Sequence, residues 1–203
     1  MKHRAVFLDR DGVINHYVYN SEFGTVDSPS NPYEFKLKPG VAESIARLRS
    51  LGMLAIVVSN QPGIAKGKFS AEILEKVTSK MLELCGDNIY DVFYCLHHPA
   101  ALDITYRVEC NCRKPKPGLL LQASAKWNID MEHSFMVGDG LTDVLAGRDA
   151  GVRTILVNAR KCYFCDELEN RCVRPDFLTT DLVDAIEIIA TEQLKEVELA
   201  RSV

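Results

Sequence analysis

Apolar residues along this chain fall into two alternating patterns. Short, nearly unbroken runs ("AVFL" at 5–8, "MLAIVV" at 53–58, "DVFYC" at 91–95, "SFMV" at 134–137 and "RTILV" at 153–157) have the length and continuity of strands buried on both faces, as a parallel sheet requires. Between them, apolar positions recur every three or four residues, the signature of a helix with one buried face. After Pro39 and Gly40, the residues Val41, Ile45, Leu48 and Leu51 share such a face, and Gly52 supplies the stop. Ser70 is placed to cap a second helix carrying Ile73, Leu74, Val77, Met81 and Leu84. Further helices fit 118–127, 141–150 and 181 to about 199. The last has Leu182, Ile186 and Ile189 facing inward and follows a short strand at "DFL". The alternation predicts a doubly wound α/β fold with a parallel sheet.

Composition narrows this further. A chain of 203 residues with 47% hydrophobic content suits one substantial core, so a single domain over 1–203 is expected. A net charge of −4, from 24 basic and 28 acidic residues, gives no global attraction for nucleic acid or an anionic membrane. The first apolar run is cut short by Asp9, which predicts neither a signal peptide nor a membrane span and hence a cytoplasmic protein. In a reducing compartment the seven cysteines read as metal ligands or small buried hydrophobes rather than disulfides. With no exposed heptad pattern, a monomer is expected.

In doubly wound folds, ligands bind beyond the carboxyl ends of the strands. The first predicted strand is followed by Asp9, Arg10, Asp11 and Gly12, the second by Ser59, Asn60 and Gln61. The third leads into a segment ending at Arg113 and Lys114, and the fourth into Gly138, Asp139 and Asp143. Two aspartates one residue apart can divide labour, one attacking a phosphate monoester and the other handling the proton. A dianionic phosphate repels that attack unless a hard cation on oxygen ligands neutralises it. Asp139 is placed for such a cation, and Lys114 and Ser59 for the phosphoryl oxygens. Singly, each piece has a plainer explanation: a turn or cap for the aspartate pair, a capping role for Ser59 and Asn60, a first-turn position favoured by the helix dipole for Asp143, a solvated surface site for Lys114. Their joint occurrence at successive strand ends favours the site.

"FLDRDGVIN", "VVSNQPGIAKG", "CRKPKPG" and "MVGDGLTD" resemble, in order, the four motifs of the haloacid dehalogenase-like phosphatase superfamily, over residues 5–157. Within it the chain is most similar to the D-glycero-D-manno-heptose 1,7-bisphosphate phosphatase group, with histidinol-phosphate phosphatases as near neighbours. The resemblance implies that Asp9 is the nucleophile and Asp11 the general acid/base. It implies a magnesium ion on the Asp9 carboxylate, the Asp11 main-chain carbonyl and Asp139, with Ser59 and Lys114 on the transferring phosphate and Asn60 and Arg113 on the substrate side. An acid/base at position 11 implies hydrolysis rather than a long-lived phosphoenzyme. The stretches 12–39 and 61–113 are too short for a cap domain, so a capless enzyme is expected. The implied substrate is a small sugar phosphate, losing the 7-phosphate of a heptose bisphosphate. Histidinol phosphate, or a nucleic-acid 3′-phosphate, is the alternative on the same scaffold, and a catalytically silent zinc-stabilised binding module the alternative outside enzymology. Neither a nucleic-acid nor a membrane partner is expected.

Cys95-x-His97 and Cys110-x-Cys112 offer three sulfurs and one imidazole, which suits a tetrahedral structural zinc with no open position for catalysis. The arrangement resembles the C-x-H…C-x-C zinc loop of the heptose and histidinol phosphatases. Position 98 is also histidine, and His97 is preferred over His98 by that resemblance alone. Arg113 and Lys114 follow the last cysteine directly, so a metal here would fix both against the phosphate. Cys162-x-x-Cys165 with Cys172 leaves a second metal site open. Cys85 and Trp127 read as packing residues. Residues 16–40, longer than the matching family loop and rich in Asn, Ser, Pro and aromatics, read as an exposed loop beside the site that helps to select the substrate.

Overall fold

The computed structural model describes residues 2–22, 24–157 and 174–201. The Cys162, Cys165 and Cys172 group lies outside the described residues. Among the described residues, eight strands and five helices follow one another as β1 (Arg4–Leu8), β2 (Val18–Asn20), β3 (Thr25–Asp27), α1 (Val41–Ser50), β4 (Met53–Asn60), α2 (Ala71–Leu84), β5 (Ile89–Cys95), α3 (Gly118–Trp127), β6 (Phe135–Gly138), α4 (Leu141–Ala150), β7 (Arg153–Val157), β8 (Phe177–Thr179) and α5 (Leu182–Arg201). A single 3₁₀ turn at Ile104–Tyr106 lies between β5 and α3.

Six strands form one parallel sheet in the order β5-β4-β1-β6-β7-β8. The order reverses at β1, which makes the end of β1 the topological switch point where α/β folds open a crevice. Register brings Leu8 beside Val57 on one side and Val137 on the other. The next residue, Asp9, therefore emerges between the ends of two neighbouring strands.

Side chains of β1 alternate between two cores. Val6 and Leu8 join Ile45, Leu48, Val77, Met81 and Ile186 on the face covered by α1, α2 and α5. Ala5 and Phe7 join Leu119, Leu120, Ala123 and Ala146 on the face covered by α3 and α4. These four β1 residues are fully buried, each large one contributing roughly 1.5–3 kcal/mol of burial free energy. Ser70 caps α2 by accepting from the Ile73 amide at 3.3 Å, and Cys85 ends that helix buried in the first core. Trp127 is half-buried, stacked edge-on against Tyr90 and bonded through Nε1 to Asp91.

The stretch 16–40 is more ordered than an exposed loop. It contains the antiparallel β2–β3 hairpin, in which Val18 lies opposite Asp27. Phe35 is buried in the core beside α1, and the stretch is tied back along its own start by His16 N–H to Lys36 O and Lys38 N–H to Ile14 O, both 3.0 Å. Two three-residue strands with mostly exposed side chains leave no period-2 signal, which is why the sequence pattern missed them. The third sheet strand starts at Ile89, two residues before the apolar run. No helix among the described residues is long and apolar enough to cross a membrane.

Candidate active site

The ends of β1, β4 and β6, with the loop before α3, converge on one buried centre. Lys114 sits in its middle, with a side chain only 1% exposed. Its Nζ lies 3.0 Å from Asp9 Oδ1, 2.5 Å from Asp143 Oδ1 and 2.9 Å from the Val58 carbonyl. Burial would discharge this ammonium, but Asp143 and Asp9 together raise its pKa and hold it charged. Asp9 Oδ1 also accepts from the Arg10 amide at 2.8 Å. The side chain of Asp9 is 14% exposed, so it faces the opening of the site.

Carboxylates outnumber cations here. Oxygens of Asp9, Asp139 and Asp143 lie within 4.8 Å of one another, with Lys114 their one short ion-pair partner among the described residues. Burial, with the charges of Asp9 and Asp139 added, pushes the Asp143 carboxyl up to about 7 against the pull of Lys114. Excess negative charge on oxygen donors is the donor set of a hard divalent cation. Asp143 already spends one oxygen on Lys114 and the other on the Gly140 amide, 3.0 Å away.

Asp11 points into a separate polar cradle. Arg10, itself fully buried, grips it with Nε and Nη2 at 3.1 and 3.0 Å. Asn15 Nδ2 donates to it at 3.0 Å and Gln61 Nε2 at 2.7 Å. Burial alone would raise the Asp11 pKa, but Arg10 and these donors hold it below the usual carboxylate range. Gln61 also donates to Ser59 Oγ at 3.1 Å, linking the end of β4 to Asp11. Asn60 clamps Lys114, accepting from its amide and donating to its carbonyl, each at 3.0 Å.

Two glycines let the chain come this close. Gly12 adopts φ +86, and a methyl there would sit 2.4 Å from Asp139 Oδ2. At Gly138 a methyl would sit 2.1 Å from the Asp143 Cβ.

Below this centre, Cys95, His97, Cys110 and Cys112 form a second cluster, with all four ligand atoms within 4.8 Å of one another. Sulfur separations are 3.2 Å for Cys95 to Cys112 and 3.7 Å for Cys95 to Cys110. His97 Nδ1 is 3.3 Å from Cys112 and 3.8 Å from Cys95. A tetrahedral zinc with Zn–S bonds of about 2.3 Å needs sulfur edges of about 3.8 Å, so the cluster is compatible with that ion. Burial disfavours a thiolate at Cys110, but bonds from Cys112 and the Arg113 amide pull its pKa down to about 7. His98 is outside the cluster, and its ring accepts from the Ala100 amide. Arg113 donates to the His97 carbonyl at 3.1 Å, which couples the cluster to the residue preceding Lys114.

Comparison with known proteins decides the family. A family model described as HAD-hydrolase-like matches residues 111–185. The D-glycero-beta-D-manno-heptose-1,7-bisphosphate 7-phosphatase of Vibrio cholerae is 43% identical over 164 residues, covering 77% of this chain and 82% of the relative. The enzyme of the same name from Escherichia coli K12 is 38% identical over 193 residues, 93% of this chain and 95% of the relative. The chain belongs to the haloacid dehalogenase-like phosphatases. Within that family its fold matches the D,D-heptose 1,7-bisphosphate phosphatase of B. bronchiseptica, solved with magnesium and phosphate, with a TM-score of 0.75 at 27% identity over 93% of this chain and 99% of the other.

The site has more parts than the residues to which the sequence assigned a role. Arg10, Asn15, Gln61 and Tyr17 all touch the aspartates, yet none carries a residue type that announces chemistry. Tyr17 donates to Asp139 Oδ2 at 3.0 Å across 122 residues of sequence, a pairing that local pattern does not encode. Asn15 and Gln61 lie within four residues of motif aspartates or serine, and that proximity was the available signal.

Proposed function

We propose that this phosphatase removes the 7-phosphate of D-glycero-β-D-manno-heptose 1,7-bisphosphate by way of an aspartyl-phosphate at Asp9. The observation that carries the reading is the buried Lys114 bridging Asp9 and Asp143 at the switch point of the sheet, where a phosphoryl group can meet a carboxylate and a fixed cation together.

The steps follow from the residues. A carboxylate oxygen of Asp9 attacks phosphorus, the bond to the sugar oxygen breaks, and the leaving alkoxide takes a proton from Asp11. Asp11 then accepts a proton from water as that water attacks the acyl phosphate, releasing inorganic phosphate and restoring Asp9. The arriving dianion opposes the influence of Arg10 on Asp11 and raises its affinity for the proton it must donate. Lys114 and Ser59 hold the phosphoryl oxygens, and Asn60 fixes the Lys114 backbone. Asp9, Asp139 and the Asp11 carbonyl would hold magnesium, which when bound would supply charge neutralisation at the phosphate. The Cys95, His97, Cys110 and Cys112 cluster holds a structural zinc.

A cavity of about 550 Å³ borders Lys114 and is lined by Pro99, Arg107, Arg113 and Lys116, with Glu109 as its one carboxylate. Its size suits a sugar, and its positive lining suits a second phosphate on the same molecule. That supports a bisphosphate over histidinol phosphate, and the names of the relatives support the β-anomer. We take the chain to act as one capless domain, as a monomer in the cytoplasm, without nucleic-acid or membrane partners.

The test is phosphate release with magnesium from both heptose 1,7-bisphosphate anomers, histidinol phosphate and a 3′-phosphorylated oligonucleotide. The β-bisphosphate should give the highest kcat/KM. A preference for histidinol phosphate or the oligonucleotide would overturn the substrate assignment while leaving the phosphatase chemistry in place.

A further inference from the structure

The stretch 16–40 reaches the site through one side chain. Tyr17 is 38% exposed overall, yet its hydroxyl turns inward and donates to Asp139 Oδ2 at 3.0 Å. Its position is fixed from several sides. The backbone just before it is pinned by the His16–Lys36 and Lys38–Ile14 hydrogen bonds, and Lys38 Nζ donates to the Gly12 carbonyl at 2.8 Å. Gly12 fills the space between the ring and the carboxylate so closely that an added methyl would lie 2.7 Å from Tyr17 Cε2 and 2.4 Å from Asp139 Oδ2. The phenol, the glycine and the carboxylate form one packed unit.

We infer that Tyr17 is a positioning residue for the divalent cation: its hydroxyl takes one oxygen of Asp139 and so sets the orientation in which that carboxylate meets magnesium. Carboxylate ligands are commonly oriented by such an outer hydrogen bond, and removing the outer partner weakens metal affinity by roughly 10–100-fold. The inference rests on the reading of Asp139 as a magnesium ligand. It gives the stretch 16–40 a task in metal binding, separate from choosing the sugar.

Magnesium binding is measured by titration calorimetry on the zinc-loaded, magnesium-free protein without substrate, for wild type, Tyr17→Phe, Tyr17→Leu and Asp139→Asn. Both Tyr17 variants should bind magnesium about 10–100-fold more weakly, with the melting temperature of metal-free Tyr17→Phe close to wild type. In turnover, the magnesium dependence of Tyr17→Phe should shift to higher concentration, with KM for the sugar phosphate unchanged. A Tyr17→Phe dissociation constant within twofold of wild type would overturn the inference. So would a loss confined to Tyr17→Leu, which would assign the effect to ring packing, or a raised sugar KM with unshifted magnesium dependence. Wild-type binding retained in Asp139→Asn would refute the metal-site reading itself, and the inference with it.

Discussion

Replacing Lys114 with Met keeps the aliphatic stem in its buried channel and removes the charge together with its hydrogen bond to the Val58 carbonyl. A unit pair at the 3.0 Å separating Lys114 from Asp9 is worth about 5 kcal/mol at an effective dielectric of about 20. Breaking a buried pair from one side typically costs about 3–5 kcal/mol, because the partner is left charged and dry. At roughly 2–4 °C per kcal/mol for a chain of this size, the metal-free melting point should fall by about 10 °C. That figure holds only while Asp143 stays ionised. Its carboxyl, pushed up to about 7 even beside Lys114, moves higher once the lysine is gone. A raised folded-state pKa means that stability is lost as pH rises through it. The deficit of Lys114→Met relative to wild type should therefore be smaller near about pH 6, where only the pairing with Asp9 is lost, and full near about pH 9. Adding Asp143→Asn should recover most of the stability without recovering the rate, since the cation facing the phosphate is still missing. Phosphate release should fall about 10²–10³-fold, the usual loss when one preorganised charge partner is removed. Thermal melts across pH together with a phosphate-release assay measure both effects. Activity within about threefold of wild type, far short of that expected loss, or a melting deficit independent of pH, would refute the reasoning.

Asp91→Asn loses the Lys126 pairing at 2.7 Å and should cost about 1 kcal/mol by denaturant titration near neutrality. Burial works to raise the Asp91 pKa, but Lys126 and Trp127 outweigh it and hold it below 3.8. The cost should therefore vanish as pH falls through that depressed value. Cys110→Ser should remove zinc, read by elemental analysis, and lower activity by loosening the loop that carries Arg113 and Lys114; full zinc retention would mean the ligand set is wrong. Gly12→Ala meets both a positive φ and the Asp139 carboxylate, so it should lose at least about 1–3 kcal/mol in thermal melts and nearly all turnover.

The sheet was legible because each of its long strands is buried on both faces and must be apolar throughout. Leu8 and Phe7 face different cores, yet both have to be hydrophobic. The β2–β3 hairpin was not legible, because its strands are short and their side chains mostly exposed. In the site, Asp9, Ser59, Lys114 and Asp139 stood out because each follows an apolar run or a cysteine pair at a position where chemistry is expected. Asp143 was readable as a first-turn helix residue, and it does bond the Gly140 amide. Its second bond, to Lys114, spans 29 residues and depends on how α4 docks beside the loop before α3. Tyr17 was missed for the same reason: its partner is set by tertiary packing. Asp11 carries the acid/base assignment by resemblance, while its cradle of Arg10, Asn15 and Gln61 is visible only once the loops are folded.

The most direct test of Asp9 as the nucleophile is a single-turnover reaction with the heptose bisphosphate, quenched in acid and mapped by peptide mass spectrometry. A transient gain of one phosphoryl group on the peptide containing Asp9, absent in a folded but inactive Asp9→Asn variant, is the predicted result. Phosphate on any other residue, or sustained turnover by Asp9→Asn, would contradict it.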